Sequence, residues 1–361
     1  MKGAFDKIID MEGAYFKGRG SQIQTGNKFL ERRLVFDHIE GLDEELLSVP
    51  KTEVFLEHPK TIVNPVKSPD IPLAFSLNPY QGCEHGCSYC YARNTHEFYG
   101  FTAGLDFETK LMAKPEAPML LEKFLLNPRW KVAPISLSGN TDCYQPLEKE
   151  MRITRQLLEV FARYQHPVGL ITKNSLILRD LDLLQDLAKE GLVQVFISIT
   201  TLNEDLRRKM EPRTASSIKR MKTIEELSKV GIPVGVMNAP IIPGLNHHEI
   251  PSILKLASEN GAIGAGMTAI RLNGKVGDVF SDWLEKNFPD RHQKVMNQIA
   301  QMHGGGINDS QFGRRMRGEG PIAGIIQQLF RQARKKYFGD KAFPEFNLKA
   351  FRRGGNLNLG F

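Results

Sequence analysis

The sequence predicts an α/β fold, a partial (β/α)6 TIM-like barrel, from three features. Six short apolar runs, many of them β-branched, recur at residues 73–77, 135–137, 168–172, 193–200, 233–238 and 265–270. Amphipathic stretches at 151–164, 176–189, 216–230 and 248–260 lie between them, each long enough to cross over and lay the next strand parallel. The 361 residues are 41% hydrophobic and 25% charged, which supplies ample core without a repeat or low-complexity array.

Taken in order, residues 1–72 read as an N-terminal extension. A polar, glycine-containing start (18–27) leads to an amphipathic charged segment (29–47) and then to proline-punctuated chain, a layout suited to wrapping a core domain. Residues 73–275 carry the barrel pattern. Residues 276–361 form a helical C-terminal extension: one helix over 282–302, a break at Gly304 to Gly306, a basic helix over 322–337, and a Gly- and Asn-rich tail.

Charge and cysteine usage narrow the class. Asp6, Lys7, Asp10 and Glu12 interrupt any apolar signal segment, and no later stretch approaches a membrane-spanning length, so the expected compartment is cytoplasmic. The net charge of +7 is compatible with an acidic or phosphate-bearing partner and equally with a solvated surface. Of the 4 cysteines, three crowd into eight positions and Cys143 stands far along the chain. That is a poor disulfide framework and a good metal-binding one.

The crowded cysteines form the string Cys83-Glu-His-Gly-Cys87-Ser-Tyr-Cys90, a C-x3-C-x2-C loop placed after the first expected strand. In a parallel barrel such a loop opens on the C-terminal face, where active sites assemble. Three thiolates suit an iron–sulfur cluster that keeps one iron free of a protein ligand. A zinc site would need a fourth ligand, from His85, His96 or Cys143, and structural zinc generally pairs two such hooks where this chain has one. Both histidines read as loop or helix-surface residues.

This string, with aromatic Tyr89 just before the last cysteine, resembles the signature of the radical S-adenosylmethionine superfamily. The likeness runs from about residue 73 to residue 271 and is closest to the spore photoproduct lyase-like branch. It implies a [4Fe-4S] cluster on Cys83, Cys87 and Cys90, with S-adenosyl-L-methionine chelated at the open iron. One electron then breaks the C5′–S bond, and the resulting 5′-deoxyadenosyl radical abstracts hydrogen from a substrate. A reductant such as flavodoxin or ferredoxin is implied with it.

Carried over residue by residue, the resemblance places Tyr89 near the adenine and Thr141, in the loop 138–146, at the methionine amino group, with Asp142 bracing that loop. Lys173 falls where the branch has a lysine for the methionine carboxylate, and Ser198 where the ribose is contacted. The segments 211–214 and 241–246 resemble recurring family segments, and neither Arg213 nor Asn238 receives a role. The catalytic residues beyond the cofactor set stay unassigned. Photoproduct lyase has a hydrogen-donating cysteine in the second-strand loop, but there it precedes the Ser/Thr-Asp pair; Cys143 follows Asp142, so it is a candidate hydrogen donor whose displaced position puts lesion-repair chemistry in doubt.

The substrate is not legible. Arg314, Arg315, Arg317, Arg331, Arg334, Lys335, Lys336, Arg352 and Arg353 would suit DNA or RNA phosphates or, equally, a solvated helix face. The glycines at 304–306 and 318–320 fit no full phosphate-loop pattern and read as turns. Two other functions stay open at this point: a nucleic-acid-binding protein with structural zinc, and a non-catalytic cluster carrier.

Overall fold

A computed structural model describes residues 15–29, 51–71 and 73–355. Its main sheet has seven strands: β2 (Val63–Pro65), β3 (Phe75–Leu77), β6 (Ile135–Leu137), β7 (Val168–Thr172), β8 (Val193–Ser198), β9 (Val234–Ile241) and β10 (Gly264–Ala269). Their order is β10-β9-β8-β7-β6-β3-β2. From β3 to β10 every pairing is parallel, and β2 adds antiparallel on β3. The six parallel strands are those the sequence predicts, in an open sheet whose edges, β10 and β2, do not pair with each other.

The strands form where β-branched side chains alternate or run apolar. Val193, Val195 and Ile197 of β8 are buried with polar or larger residues between them, whereas four of the five residues of β7 are buried, as in a strand covered on both faces. Between them run α4 (Ile153–Tyr164), α5 (Leu181–Lys189), α7 (Ser217–Lys229) and α8 (Ile250–Glu259). In α4, Ile153, Leu157, Leu158, Phe161 and Tyr164 repeat at helical spacing and face the core. Ser216 caps α7 by accepting the Lys219 amide at 3.3 Å.

Several boundaries differ from expectation. The first parallel strand starts at Phe75 rather than residue 73, and β9 continues three residues past Asn238. The stretch 176–189 opens as a 3-10 helix (Ser175–Asp180) before α5. The helix expected over 282–302 is two, α9 (Val276–Asn287) and α10 (Pro289–Met302). Pro289 has no amide to continue the ladder and pushes Phe288 out of helical geometry, to φ −146° and ψ 57°.

A second sheet was not expected. It joins β1 (Glu53–Leu56), β5 (Lys110–Ala113) and β4 (Tyr80–Gln81) in the order β1-β5-β4. Short helices complete the core: α1 (Asp106–Thr109), α2 (Ala117–Leu126), α3 (Glu148–Met151) and α6 (Glu204–Met210). Of the charged segment expected over 29–47, only Phe29 falls among the described residues, and the glycine- and asparagine-rich tail lies outside them from residue 356 onward.

The C-terminal helix α11 (Gly320–Phe338) packs on α8 and β10. Its Arg331, Arg334, Lys335 and Lys336 are exposed. Beyond it the chain crosses beneath the sheet. The Asn347 amide reaches the Gly191 carbonyl at 3.0 Å, and Phe343 stacks on Phe196 of β8 at 4.8 Å between centroids. The side-chain-free Gly235 and Gly264 admit that ring.

Candidate active site

The cysteine loop follows β4 at the end of the sheet where the parallel strands terminate. Its backbone is fixed from several directions. The Cys83 amide donates to Phe107 O at 2.9 Å and the Ser88 amide to Met210 O at 3.1 Å. Gln145, from the loop after β6, grips both sides of Cys83, accepting from the Glu84 amide at 3.0 Å and donating to Gly82 O at 3.1 Å. Arg213 donates its amide to His85 O and its guanidinium to the Glu84 carboxylate at 3.1 Å, so it bridges structure rather than facing a ligand.

A fully buried ion pair underlies this loop. Arg93 donates to Cys87 O through Nε and Nη2 at 3.0 and 2.9 Å, to Gly104 O at 3.0 Å, and pairs with Glu108 at 2.5 Å. Glu108 also accepts the Gly20 and Ser21 amides at 2.9 and 2.7 Å. The N-terminal extension thereby clasps the loop. Gly20 lies so close to Gly86 that a Cβ there would stand 1.5 Å from Gly86 O, which no other residue permits.

Cys83 and Cys87 are buried, Cys90 is half-buried, and all are free thiols. Cys83 and Cys87 border two small apolar clusters that Cys90 joins. Burial pushes the three thiols above the ordinary range, with nearby negative charge adding to the effect at Cys83 and Cys87. A cation bound among them would reverse that, since the thiolate is the ligating form. Among the described residues no three His, Cys, Asp or Glu side chains converge to hold a single metal ion.

Of the residues offered as further zinc ligands, His85 is held by other side chains, while His96 and Cys143 are packed into the interior. His85 Nδ1 lies 3.4 Å from the Asp142 carboxylate and its Nε2 3.4 Å from Asn174. His96, expected at a helix surface, is fully buried among Tyr99, Phe101 and Phe107, because the segment after Cys90 folds as a 3-10 helix (Tyr91–Tyr99) that turns it inward. Cys143 sits in the main core beneath the loop, with its amide on Ser138 Oγ and its carbonyl on Thr154 Oγ1.

The cofactor-binding candidates gather around the same mouth. Asp142 accepts from Thr172 Oγ1 at 2.7 Å and the Lys173 amide at 2.8 Å, tying the β6 loop to the end of β7. Burial opposes its ionisation, but His85 and these donors win and hold its pKa at about 2. Thr141 is buried and donates its hydroxyl to Tyr80 O at 2.6 Å, which leaves the oxygen lone pairs for a donor. Ser198 is buried at the end of β8.

Tyr89 gives its hydroxyl to Glu211 and lies 3.4 Å from Thr200 Oγ1, so a role toward adenine falls to its ring alone. Lys173 Nζ lies 6.0 Å from that ring's centre. Burial would lower the Lys173 pKa, yet Cys87 and Glu211 raise it on balance, and the side chain stays a cation. Glu211 is fully buried; burial works against its charge, but Arg220 at 2.5 Å and Lys173 hold its pKa at about 2.

Sequence reasoning missed Arg93, Glu108 and Arg220 altogether and reached Glu211 only through a segment likeness. Asn238, left without a role, proves informative. Its amide donates to Ile199 O at 2.9 Å, while its buried Oδ1 has no partner, and buried Ser88 Oγ beside Cys87 has none either. Orphaned buried acceptors at a strand-end mouth fit a bound group that supplies donors.

Comparison with known proteins agrees with this geometry. The family model of the radical SAM superfamily matches residues 77–257. A protein of Mycobacterium tuberculosis, itself described as uncharacterized, is 30% identical over 222 residues, covering 61% of this chain and 65% of its own length, so the match spans less than two thirds of that relative. One from Methanocaldococcus jannaschii is 27% identical over 250 residues, covering 69% of this chain and 89% of its own. Among solved structures, spore photoproduct lyase complexed with dinucleoside spore photoproduct superposes with a TM-score of 0.58 at 14% identity, over 84% of this chain and 86% of that one. A form of it with bound AdoMet gives 0.56 at 14% identity over 79% and 80%. With the three-cysteine loop at the mouth of a parallel sheet and the family model spanning that region, the chain belongs to the radical S-adenosylmethionine superfamily of enzymes.

Proposed function

We propose that the protein reductively cleaves S-adenosylmethionine at a [4Fe-4S] cluster held by Cys83, Cys87 and Cys90, generating a 5′-deoxyadenosyl radical that abstracts hydrogen from a substrate. The observation that carries this reading is the C-x3-C-x2-C triad, free and collected at the strand-end mouth of a parallel sheet within the matched family region. Such a cluster, once reduced by a donor such as flavodoxin or ferredoxin, supplies the electron that breaks the C5′–S bond.

The chain's own residues would bind, orient and shield. Lys173, kept cationic by Glu211, supplies a point charge for the methionine carboxylate. Thr141 and the Gly139 to Asn140 turn offer acceptors to the ammonium. Ser198 and the unpartnered Asn238 Oδ1 would offer partners to ribose hydroxyls. The Tyr89–Glu211–Arg220 network keeps the Tyr89 ring fixed beside Lys173, and the N-terminal clasp covers the loop against water. Cys143, enclosed in the core, is poorly placed to donate hydrogen to a substrate radical.

The test is formation of 5′-deoxyadenosine from S-adenosylmethionine by anaerobically reconstituted, reduced protein with measured iron and sulfide. Product that disappears in Cys83→Ala, Cys87→Ala and Cys90→Ala supports the reading. A fully loaded, reducible cluster that yields none even with candidate substrates favours a cluster carrier, and zinc in place of iron would overturn it.

A further inference from the structure

The open sheet leaves a seam between its edge strands, and one segment of the C-terminal extension spans it. On the β10 side, the Ala269 amide donates to Met316 O at 2.9 Å and the Leu272 amide to Ile307 O at 3.0 Å. On the far side, the Gly313 amide reaches Asp70 Oδ1 at 2.7 Å, while Arg315 binds Asp70 Oδ2 and Ser68 Oγ, each at 2.5 Å. Asp70 and Ser68 belong to the connection between β2 and β3. Residues 307–316 therefore strap the two edges together.

Arg271 stands at the inner end of this strap, two residues past β10. It is half-buried and makes no hydrogen bond or ion pair with any described residue. Its neighbours are cationic or neutral in the main. Burial lowers its pKa, and Arg315 lowers it further, against weaker pulls from Tyr91 and Asp70. Asp70 is committed to Arg315 and to the Gly313 amide. Two guanidiniums against one carboxylate leave a net positive charge.

The position also borders the cofactor site. Tyr91 directly follows Cys90 and donates its hydroxyl to Gly139 O at 2.6 Å. Asn94, from the same 3-10 helix, donates to Asn273 O at 2.8 Å and accepts the Lys275 amide at 3.0 Å, holding the loop after β10 against the cysteine segment. On the strap, Phe312 is 52% exposed, with the Arg315 guanidinium 4.4 Å from its ring centre. An aromatic face thus adjoins the positive charge.

We propose that Arg271 is a binding residue for a phosphate group of the substrate, with Arg315 reinforcing the charge and Phe312 offering a stacking face to whatever carries it. A half-buried guanidinium without a carboxylate is costly unless an anion completes it, and the planar fork suits a phosphate bidentately. This deepens the radical-enzyme reading by naming the substrate's chemistry: a phosphate ester, drawn either from a small phosphorylated molecule or from a nucleic-acid strand.

The test measures equilibrium binding to the anaerobically reconstituted protein of three probes: inorganic phosphate, a mononucleotide and a short fluorescent single-stranded oligonucleotide. Arg271→Met should weaken binding at least tenfold, with partial recovery in Arg271→Lys, and should leave the melting temperature unchanged or raised because no protein partner is lost. Loss across all three probes marks a simple phosphate subsite; loss confined to the oligonucleotide marks a strand as the source. Binding to none by the parent protein, equal binding by Arg271→Met, or a loss seen in Arg334→Gln on the exposed face of α11 instead, would overturn the proposal. Cofactor cleavage is scored separately, so absent 5′-deoxyadenosine with intact probe binding would count against the radical reading alone.

Discussion

Replacing Glu108 by Gln tests whether the buried Arg93–Glu108 pair is the foundation of the cysteine loop. Both side chains are wholly buried, and the carboxylate serves three donors: Arg93 Nη2, the Gly20 amide and the Ser21 amide. A glutamine has one acceptor and one donor end, so its NH2 must face an N–H whichever way it turns. The Arg93 guanidinium meanwhile loses its counter-charge in a site closed to solvent. Removing one member of a buried pair costs about 3–5 kcal/mol. At about 2.1 cal/mol/K per residue, 361 residues carry roughly 0.76 kcal/mol per kelvin of unfolding entropy. The expected fall in melting temperature is therefore about 4–7 °C.

Thermal melting of the reconstituted protein, paired with iron and sulfide content per chain, reads both consequences. Iron loading should drop as well, because Arg93 sets the Cys87 carbonyl through two hydrogen bonds. The double variant Glu108→Gln with Arg93→Met should recover part of the stability, since it buries no lone charge. Melting within about 1 °C of the parent at full iron loading would refute the reasoning.

Three further outcomes are expected. Lys173→Met should weaken S-adenosylmethionine binding by roughly tenfold to a hundredfold by equilibrium titration, the scale of a hydrogen bond to a charged group; unchanged affinity would remove Lys173 from the carboxylate site. Gly235→Ala would set a Cβ 2.7 Å from Phe343 and 2.9 Å from Phe196, an overpacking worth about 1–3 kcal/mol in denaturant melts, and Phe343→Ala in the same chain should relieve part of it. His166 is held neutral in the fold: burial, only partly opposed by the Pro167 carbonyl, lowers its pKa from 6.5 to about 4, and its Nε2 accepts from the Trp130 indole at 3.2 Å. Its stabilisation is complete above pH 6.5 and lost as pH falls towards 4, roughly 2–3 kcal/mol by pH 4.5. Denaturation midpoints at pH 7.5 and 4.5 check this, and His166→Gln should flatten the acid limb.

The parts of the fold that were legible in the sequence are those where local pattern and tertiary burial agree. Runs such as Val168 to Ile171 are apolar because the strand is almost wholly buried, and their neighbours repeat at helical spacing. The small second sheet offered no such signal. Every residue of Glu53 to Leu56 is exposed, β4 has two residues, and β1 pairs with β5 across more than fifty positions. The break at Pro289 was announced by the proline itself, but apolar spacing that continues through Met302 masked it. At the site, the cysteine motif could be read because its residues stand close together in the chain. Arg93, Glu108, Glu211 and Arg220 were not, because a charged side chain reads as solvent-facing until a partner distant in sequence is known to neutralise it.

The two terminal extensions acquire a common purpose from where they attach. A sheet that ends in open edges cannot by itself exclude water from a radical reaction, and this one stops at β10 and β2. The N-terminal segment meets the cysteine loop from one side, through Gly20 and Ser21 on Glu108. The C-terminal strap crosses the seam on the other, with the His303 ring 2.7 Å from Ile270 O and Arg315 on Asp70. The anchoring differs in kind, and the difference matters. The clasp is held by a buried ion pair and backbone packing too close for any side chain, whereas the strap carries exposed Phe312 and the half-exposed Arg314, and its far attachment rests on Arg315, Gly313 and Ser68. On the proposed function, a site that would hold a cluster yet admit a substrate needs one face fixed and one that yields at modest cost, and the weaker closure is the one beside Arg271.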